Sequence, residues 1–254
     1  STAGAATAPR AVWVILPTYN EAQNVSRMIR AVLVVLSADE LDPTILVVDD
    51  ASPDGTGRLA DAEAERDPRV RVLHRAERGG IGPAYRAGFD LALAGDAELI
   101  VEMDCDFSHP PDLLPGLIAA ANDADLVIGS RYVPGGAIER WGAVRRMVSR
   151  VGCAYARTVL GVPVRDLTSG FKCFRRGVLT ALPIGEVNSR GYGFQVEMTY
   201  RALRAGFRVR EIPITFTERQ DGDSKMGLGI VAEAIMLVPR LRLGRARRTP
   251  RARA

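Results

Sequence analysis

The chain has 254 residues, a mass of 27.4 kDa and a formal net charge of +4, long enough for one large α/β domain or two small ones with a sizeable core. Hydrophobic residues make up 47% and charged residues 25%, ordinary globular usage that excludes global disorder and a polytopic membrane protein. Three cysteines (Cys105, Cys153, Cys173), odd in number and without a CxxC pair, exclude a disulfide framework and a thiolate zinc site, and are expected as reduced core residues facing the cytoplasm. Arg240, Arg242, Arg245, Arg247, Arg248, Arg251 and Arg253 supply the basic excess, with no acid among them, so the rest of the chain is slightly acidic. Such an end either attracts an anionic surface or is simply solvated, and the second reading starts ahead.

Residues 1–10 lack apolar periodicity and read as a linker or disordered N-terminus. From Val12 the pattern is regular. Residues 12–17, 44–50, 70–74, 98–104 and 125–130 are short apolar runs ending in turn or acidic residues, each predicting a buried strand. Between them Glu21–Leu36, Thr56–Glu65, Pro83–Ala94 and Pro111–Ala121 predict helices, and the alternation implies right-handed crossovers in a mostly parallel sheet. After Ser130 the rhythm breaks into a Gly-rich turn and an arginine-studded helix over Trp141–Leu160. The loop VRDLTSGFKCF, a helix near Phe194–Ala205 and a strand over 209–218 follow. The apolar run Leu228–Val238 is half the length of a membrane span. The expected organisation is a single domain over 11–239, then a disordered basic tail over 240–254.

Ligands of parallel α/β sheets sit beyond the carboxyl ends of the strands. Those exits carry Pro17 to Glu21, Asp49 to Thr56, Asp104 to Ser108 and Gly129 to Tyr132, so acids gather on one edge. On extended backbone Asp104 and Asp106 project to the same side about 6.6 Å apart, which suits one metal–diphosphate unit. Mg²⁺ or Mn²⁺ takes one or two carboxylates and completes its shell with phosphate oxygens and water. Most DxD tripeptides are solvated turns or caps, but this one follows LIVEM and precedes SHPP. Asp49 and Asp50 read equally as caps and as nucleoside ligands, since Ser52, Asp54 and Thr56 are good capping residues. Gly80-Ile81-Gly82 lacks the third glycine of a dinucleotide fingerprint, and no GxxxxGK[ST] occurs. With His74 and His109 the only histidines, zinc hydrolase sites and a His-based triad are disfavoured. Arg131, Arg145, Arg219 and Lys225 lie in loops or at a helix start, where they fit phosphate oxygens. Gly222 permits a turn that folds Arg219 and Lys225 over one ligand.

In this order, PTYNE, VVDDASPDGT, ERGGIGPAYRAGF, MDCDFSHPP, GSRYVPGG, RDLTSGFKCF, GYGFQVEM and ERQDGDSK resemble the dolichyl-phosphate or polyprenol-phosphate mannosyltransferases. These are family-two inverting glycosyltransferases of the GT-A, Rossmann-like fold. The likeness runs from about Val12 to Lys225 and extends to the Arg-rich polyprenol monophosphomannose synthases of actinobacteria. It implies nucleotide-sugar contacts from Pro17, Tyr19, Glu21, Val48 and Asp50, with Asp104, Cys105 and Asp106 around the metal, diphosphate and sugar. Asp106 is the expected direct metal ligand. Ser108 falls where some members place a metal-holding glutamine. Arg131, Arg145, Arg219 and Lys225 match positions associated with donor and acceptor phosphates, and Asp166, Ser169, Gln195 and Glu197 are family-marked.

The resemblance implies metal-dependent inverting transfer of mannose from GDP-mannose to polyprenyl monophosphate, giving β-mannosyl phosphoryl polyprenol. Alternatives are glucosyl transfer from UDP-glucose, transfer to a sugar hydroxyl with Asp166 or Glu197 as base, and a non-catalytic nucleotide-binding subunit of a membrane complex. A lipid acceptor implies a peripheral protein at the cytoplasmic face, partnered with the membrane surface rather than nucleic acid. Contact is expected through Leu228–Val238 lying in the interface and the arginines beyond it, or through a membrane-spanning anchor protein or fused region. The alternative for Leu228–Val238 is packing against the sheet.

Overall fold

The computed structural model describes residues 9–37, 41–187, 189, 191–218 and 228–244, with 228–235 described as backbone alone. The apolar runs become β1 (Arg10–Thr18), β2 (Leu41–Asp49), β3 (Val70–His74), β4 (Leu99–Glu102) and β5 (Leu126–Ser130). They alternate with α1 (Val25–Leu36), α2 (Thr56–Arg66), α3 (Ile81–Ala94) and α4 (Leu114–Ala120), the last entered through a 3₁₀ turn at Pro111–Leu113. Then come β6 (Ala137–Glu139), α5 (Ala143–Leu160), β7 (Lys172–Arg175), α6 (Arg176–Ala181), α7 (Gly191–Arg204), β8 (Val209–Pro213), β9 (Thr215–Thr217) and α8 (Leu228–Leu243).

Seven strands form one sheet in the order β3-β2-β1-β4-β7-β5-β8, parallel except for β7, which runs against β4 and β5. A second, two-stranded parallel sheet pairs β6 with β9. Because strand side chains alternate, β1 feeds two cores: Trp13 and Ile15 join one cluster, Val12, Val14 and Leu16 the other. The first cluster takes Tyr85 and Phe89 of α3, Leu160 of α5, Phe194 of α7 and Val238 of α8. The second takes Met28 and Ile29 of α1, Ala60 of α2 and Leu117 of α4. Both faces are covered, as the continuous apolar runs require. The expected mostly parallel, GT-A-like sheet is what forms.

Four expectations need correction. The strand expected over 98–104 ends at Glu102, so Asp104 and Asp106 lie beyond it. The segment read as a loop, VRDLTSGFKCF, ends in β7, whose Lys172, Cys173 and Phe174 are fully buried between β4 and β5. Four residues with a lysine among them give no periodic signal; only pairing on both sides makes them a strand. The expected strand over 209–218 is two strands in different sheets. Finally, the boundary at 239 falls inside α8, which continues through Pro239 to Leu243 and therefore holds Arg240 and Arg242; residues 245–254 lie outside the described ones. In α8, Val238 is buried in the core, and Arg242 donates to the Leu160 carbonyl oxygen at 3.3 Å, so its visible contacts are with the body. No described helix is long and apolar enough to cross a membrane. The three cysteines are free and buried, and burial pushes the thiols of Cys153 and Cys173 up to about 11 and about 12.

Candidate active site

The chain winds outward from β1 to β3, then returns to place β4 on the other side of β1. The crevice beyond the carboxyl ends of β1 and β4 is therefore the topological switch point, where such sheets bind ligands. Pro17 and Val48 are register partners at its floor. Asp49 ties two exits together, accepting from Thr18 Oγ1 at 3.1 Å and from Ser52 N and Oγ at 3.2 and 2.6 Å. Neither Asp49 nor Asp50 caps α2, whose N-cap is Gly55; Asp54 instead holds the first helical residue, accepting from Thr56 N at 3.0 Å and Oγ1 at 2.6 Å. Thr56 Oγ1 in turn accepts from the Glu21 amide at 2.9 Å.

Asp50 is buried and gathers a loop whose role in the site the sequence reading missed. It accepts from Gly79 N at 3.1 Å, Gly80 N at 2.7 Å and Arg75 Nη1. Gly80 reaches it at φ +87°, a conformation open to glycine. The same loop lays the Arg78 guanidinium 3.9 Å above the Tyr19 ring. The loop over residues 75–80 thus brings Arg75 and Arg78 to the residues assigned to the nucleotide, and its adjacent glycines were the available signal.

Beyond β4 the chain bends. Phe107 takes φ +59°, and Asp106 accepts from the Ser108 amide at 3.0 Å, an Asx-type turn that replaces the same-side extended geometry expected from spacing. The bend separates the two acids: Asp106 is buried, whereas the Asp104 side chain is 30% exposed. Ser108 Oγ is buried with no hydrogen-bond partner among the described residues. His109 packs between Phe171 and Phe216, and burial pushes its pKa down to about 4, so it stays neutral beside Asp104 near pH 7. Among the described residues no three His, Cys, Asp or Glu side chains cluster to hold a metal. Two carboxylates and an unpartnered hydroxyl at one bend nonetheless fit a cation that draws its remaining ligands from a substrate diphosphate.

Arg131 leaves β5 into a different setting from the phosphate contact expected of it. It is buried, and its Nε and Nη2 donate to the two Asp166 oxygens, each at 2.7 Å, with Nη2 also reaching Thr168 Oγ1 at 2.9 Å. The guanidinium lies 5.3 to 5.7 Å from the rings of Tyr132, Phe216 and Trp141. Burial works against both charges, but each group's attraction for the other wins: Asp166 is held below the ordinary carboxylate range and Arg131 above its own. Arg145, at the start of α5, stacks 4.2 Å over Trp141 and donates to Glu218 at 2.6 Å; its Nε is buried without a hydrogen-bond partner among the described residues. Arg219 and Lys225 lie outside the described residues.

Behind the bend sits a polar cluster. Glu102 and Lys172 are fully buried register partners on β4 and β7. Lys172 Nζ donates to the Gln195 carbonyl oxygen at 2.9 Å and to its Oε1 at 2.6 Å. Burial raises the Glu102 carboxyl to about 7, against the pull of Lys172 and the nearby Gln195 amide, and burial lowers Lys172 to about 8, against the pull of Glu102. Sequence reading assigned Glu102 and Lys172 no role, although Lys172 is one of two lysines among 34 basic residues. Glu197 is bonded to Ser189 Oγ at 2.6 Å and to Arg201 at 2.6 Å. Ser169 Oγ donates to the Gly129 carbonyl oxygen at 2.6 Å, holding the SGF turn on β5.

A doubly wound sheet with this crevice at its switch point defines a glycosyltransferase of the GT-A kind. The chain belongs to glycosyl transferase family 2, whose model matches residues 13–182. It is 47% identical over 229 residues to the undecaprenyl-phosphate mannosyltransferase of Micrococcus luteus, covering 90% of this chain and 93% of that protein. It is 47% identical over 242 residues to the polyprenol monophosphomannose synthase of Mycolicibacterium smegmatis, covering 92% and 89%. Among solved structures, glucosyl-3-phosphoglycerate synthase from Mycobacterium tuberculosis, in complex with Mn²⁺, uridine diphosphate and phosphoglyceric acid, superposes with a TM-score of 0.68. At 23% identity, with 92% of this chain and 79% of that chain covered, the likeness is one of fold.

Proposed function

We propose that the protein transfers mannose from GDP-mannose to a polyprenyl monophosphate with inversion, giving β-mannosyl phosphoryl polyprenol. The observation that carries this reading is the 47% identity, over nearly the whole of both chains, to two relatives named for mannosyl transfer to such lipids. In the reaction an acceptor phosphate oxygen forms the new bond to C1 while the bond from C1 to the donor diphosphate breaks, its electron pair leaving with GDP. The acceptor oxygen is already anionic near neutral pH, since the second phosphate pKa is about 6, so no protein base is needed.

The carboxylates weighed as bases suit that chemistry. Asp166 is spent on Arg131 and held as an anion of low basicity, and Glu197 is bonded to Arg201 and Ser189. Two anionic substrates must instead be held together by cationic groups and aligned for in-line attack. Arg145, Arg219 and Lys225 are assigned to this role by family resemblance. Arg131 and Asp166 keep the aromatic wall beneath Arg145 rigid. Asp106, with Ser108, would hold a Mg²⁺ or Mn²⁺ ion, which would supply charge stabilisation to the departing diphosphate.

A lipid acceptor also requires a membrane side, and α5 offers one. Val144, Met147, Val148 and Val151 are all exposed at the i, i+3, i+4, i+7 spacing of a single helical stripe, and α5 carries Arg145, Arg146, Arg150 and Arg157 with no acid. An apolar stripe among arginines fits an anionic bilayer surface. The first turn of the helix carries Arg145, one of the residues assigned to phosphate by family resemblance. The deciding experiment incubates the protein with polyprenyl phosphate and either GDP-mannose or UDP-glucose, and identifies the lipid product by mass spectrometry. Mannosyl phosphoryl polyprenol from GDP-mannose alone is expected; a glucosyl product, or no turnover, overturns the reading.

A further inference from the structure

Gln195 of α7 is buried, and its carboxamide is oriented by an unusual neighbour. Lys172 Nζ, a pure donor, contacts Oε1 at 2.6 Å and so fixes which end of the amide is oxygen. The other end, Nε2, is buried without a hydrogen-bond partner among the described residues. Glu102 is close enough for the Gln195 amide to pull its pKa down, but neither Glu102 oxygen makes a hydrogen bond of normal geometry among the described residues. A buried donor left unpaired is costly, and native proteins rarely tolerate one without a use for it.

Gly170 shows what else Nε2 borders. A Cβ built on Gly170 would stand 3.7 Å from both Asp104 carboxylate oxygens and 3.8 Å from Gln195 Nε2. The amide and the carboxylate therefore border one small space, kept open because residue 170 has no side chain. Gly170 and Asp104 are both partly exposed, so that space communicates with the crevice beyond β4. An acceptor and a donor facing each other across it select a group that is both donor and acceptor. A hydroxyl satisfies both at once; a phosphate oxygen is repelled by Asp104 and has no proton to give it.

We propose that Gln195 is a sugar-recognising residue: its Nε2 donates to one hydroxyl of the donor hexose while that hydroxyl donates to Asp104, in the space over Gly170. Lys172 is the positioning residue that presents the amide. This inference rests on the reading of the protein as a hexose transferase and assigns the pocket that reads the sugar. A site built to bond one hydroxyl rejects the analogue lacking it far more strongly than an apolar pocket rejects a change in size.

The test pairs Gln195→Met, which keeps length and removes the donor, with GDP-mannose analogues each lacking one hydroxyl. Binding is read by calorimetry and turnover by kcat/KM. Wild type should lose about 10- to 100-fold on one particular analogue, in line with the cost of leaving a buried donor unpaired. Gln195→Met should lose as much on GDP-mannose itself and nothing further on that analogue, with GDP affinity unchanged. If the variant remains as sensitive as wild type to every missing hydroxyl, the amide holds only a trapped water or the fold, and the inference fails.

Should Gln195→Met fail to fold, Gly170→Ala tests the same space, since the added methyl meets its neighbours at ordinary contact distance. A rise in KM for GDP-mannose of at least tenfold at constant GDP affinity is expected, and an unchanged KM overturns the proposal. Because the calorimetric arm needs no acceptor, a wild type that binds GDP-mannose but transfers nothing overturns the transferase reading alone. A wild type that binds GDP-mannose no more tightly than GDP overturns the sugar pocket.

Discussion

Asp104 and Asp106 are one residue apart in sequence yet meet different surroundings, because the chain leaves β4 at Glu102 and turns back at Phe107. Asp106, turned inward against the Ser108 amide, is the acid whose loss should matter most. Asp106→Ala is expected to abolish turnover and Asp106→Glu to leave a trace; near-native activity of Asp106→Ala at saturating donor and metal removes it from the metal site. The Asp166–Arg131 pair makes a different prediction, about stability. Breaking a buried ion pair from one side costs about 3–5 kcal/mol, so Asp166→Asn should lower the melting temperature sharply. Because the folded state depresses the Asp166 pKa, its contribution is fully present above the unfolded value of about 3.9 and is lost as pH falls through the folded value. The gap between wild type and Asp166→Asn should therefore stay constant from pH 5 to 8 and close only in acid. A gap that closes towards pH 8 would show that another group sets it. Sequence supplied the identity of these acids and arginines, but that Arg131 spends its fork on Asp166, 35 residues away, is a fact of packing.

At the scale of elements, the strand and helix rhythm up to Ser130 is legible because buried parallel strands read as continuous apolar runs. β7 is not, since its burial comes from β4 and β5 on either side rather than from its own composition. Helix α5 was legible as a helix, but its exposed stripe was not, because an apolar spacing reads the same whether core or membrane covers it. Replacing Met147 and Val151 together by Asp should leave the melting temperature within a degree or two, as both side chains are exposed. It should also cut co-sedimentation with anionic vesicles at least severalfold. Unchanged sedimentation would return the stripe to ordinary surface.

For the whole molecule, the C-terminal end should be divided by structure rather than by charge. A chain ending at Pro239 loses the last turn of α8, including Leu241, which packs on the core, and Arg242, which bonds Leu160. It should be less stable as well as less basic. A chain ending at Gly244 removes Arg245, Arg247, Arg248, Arg251 and Arg253 while leaving α8 whole. With each arginine near an anionic surface worth about 1 kcal/mol, its vesicle binding at low salt should fall at least tenfold against the full chain, with stability unchanged. Equal binding by the two chains would remove any role for the tail.

By itself the sequence determined the fold class and the glycosyltransferase family, because apolar periodicity and ordered motifs are local properties of the chain. Only the tertiary structure decided which partners those side chains take within the protein. It committed Asp50 to Gly79 and Gly80 and turned Asp106 inward, and it set Lys172, Glu102 and Gln195 behind the crevice. Those outcomes depend on contacts between residues tens of positions apart, where burial decides whether a charge binds substrate or must be neutralised within the protein.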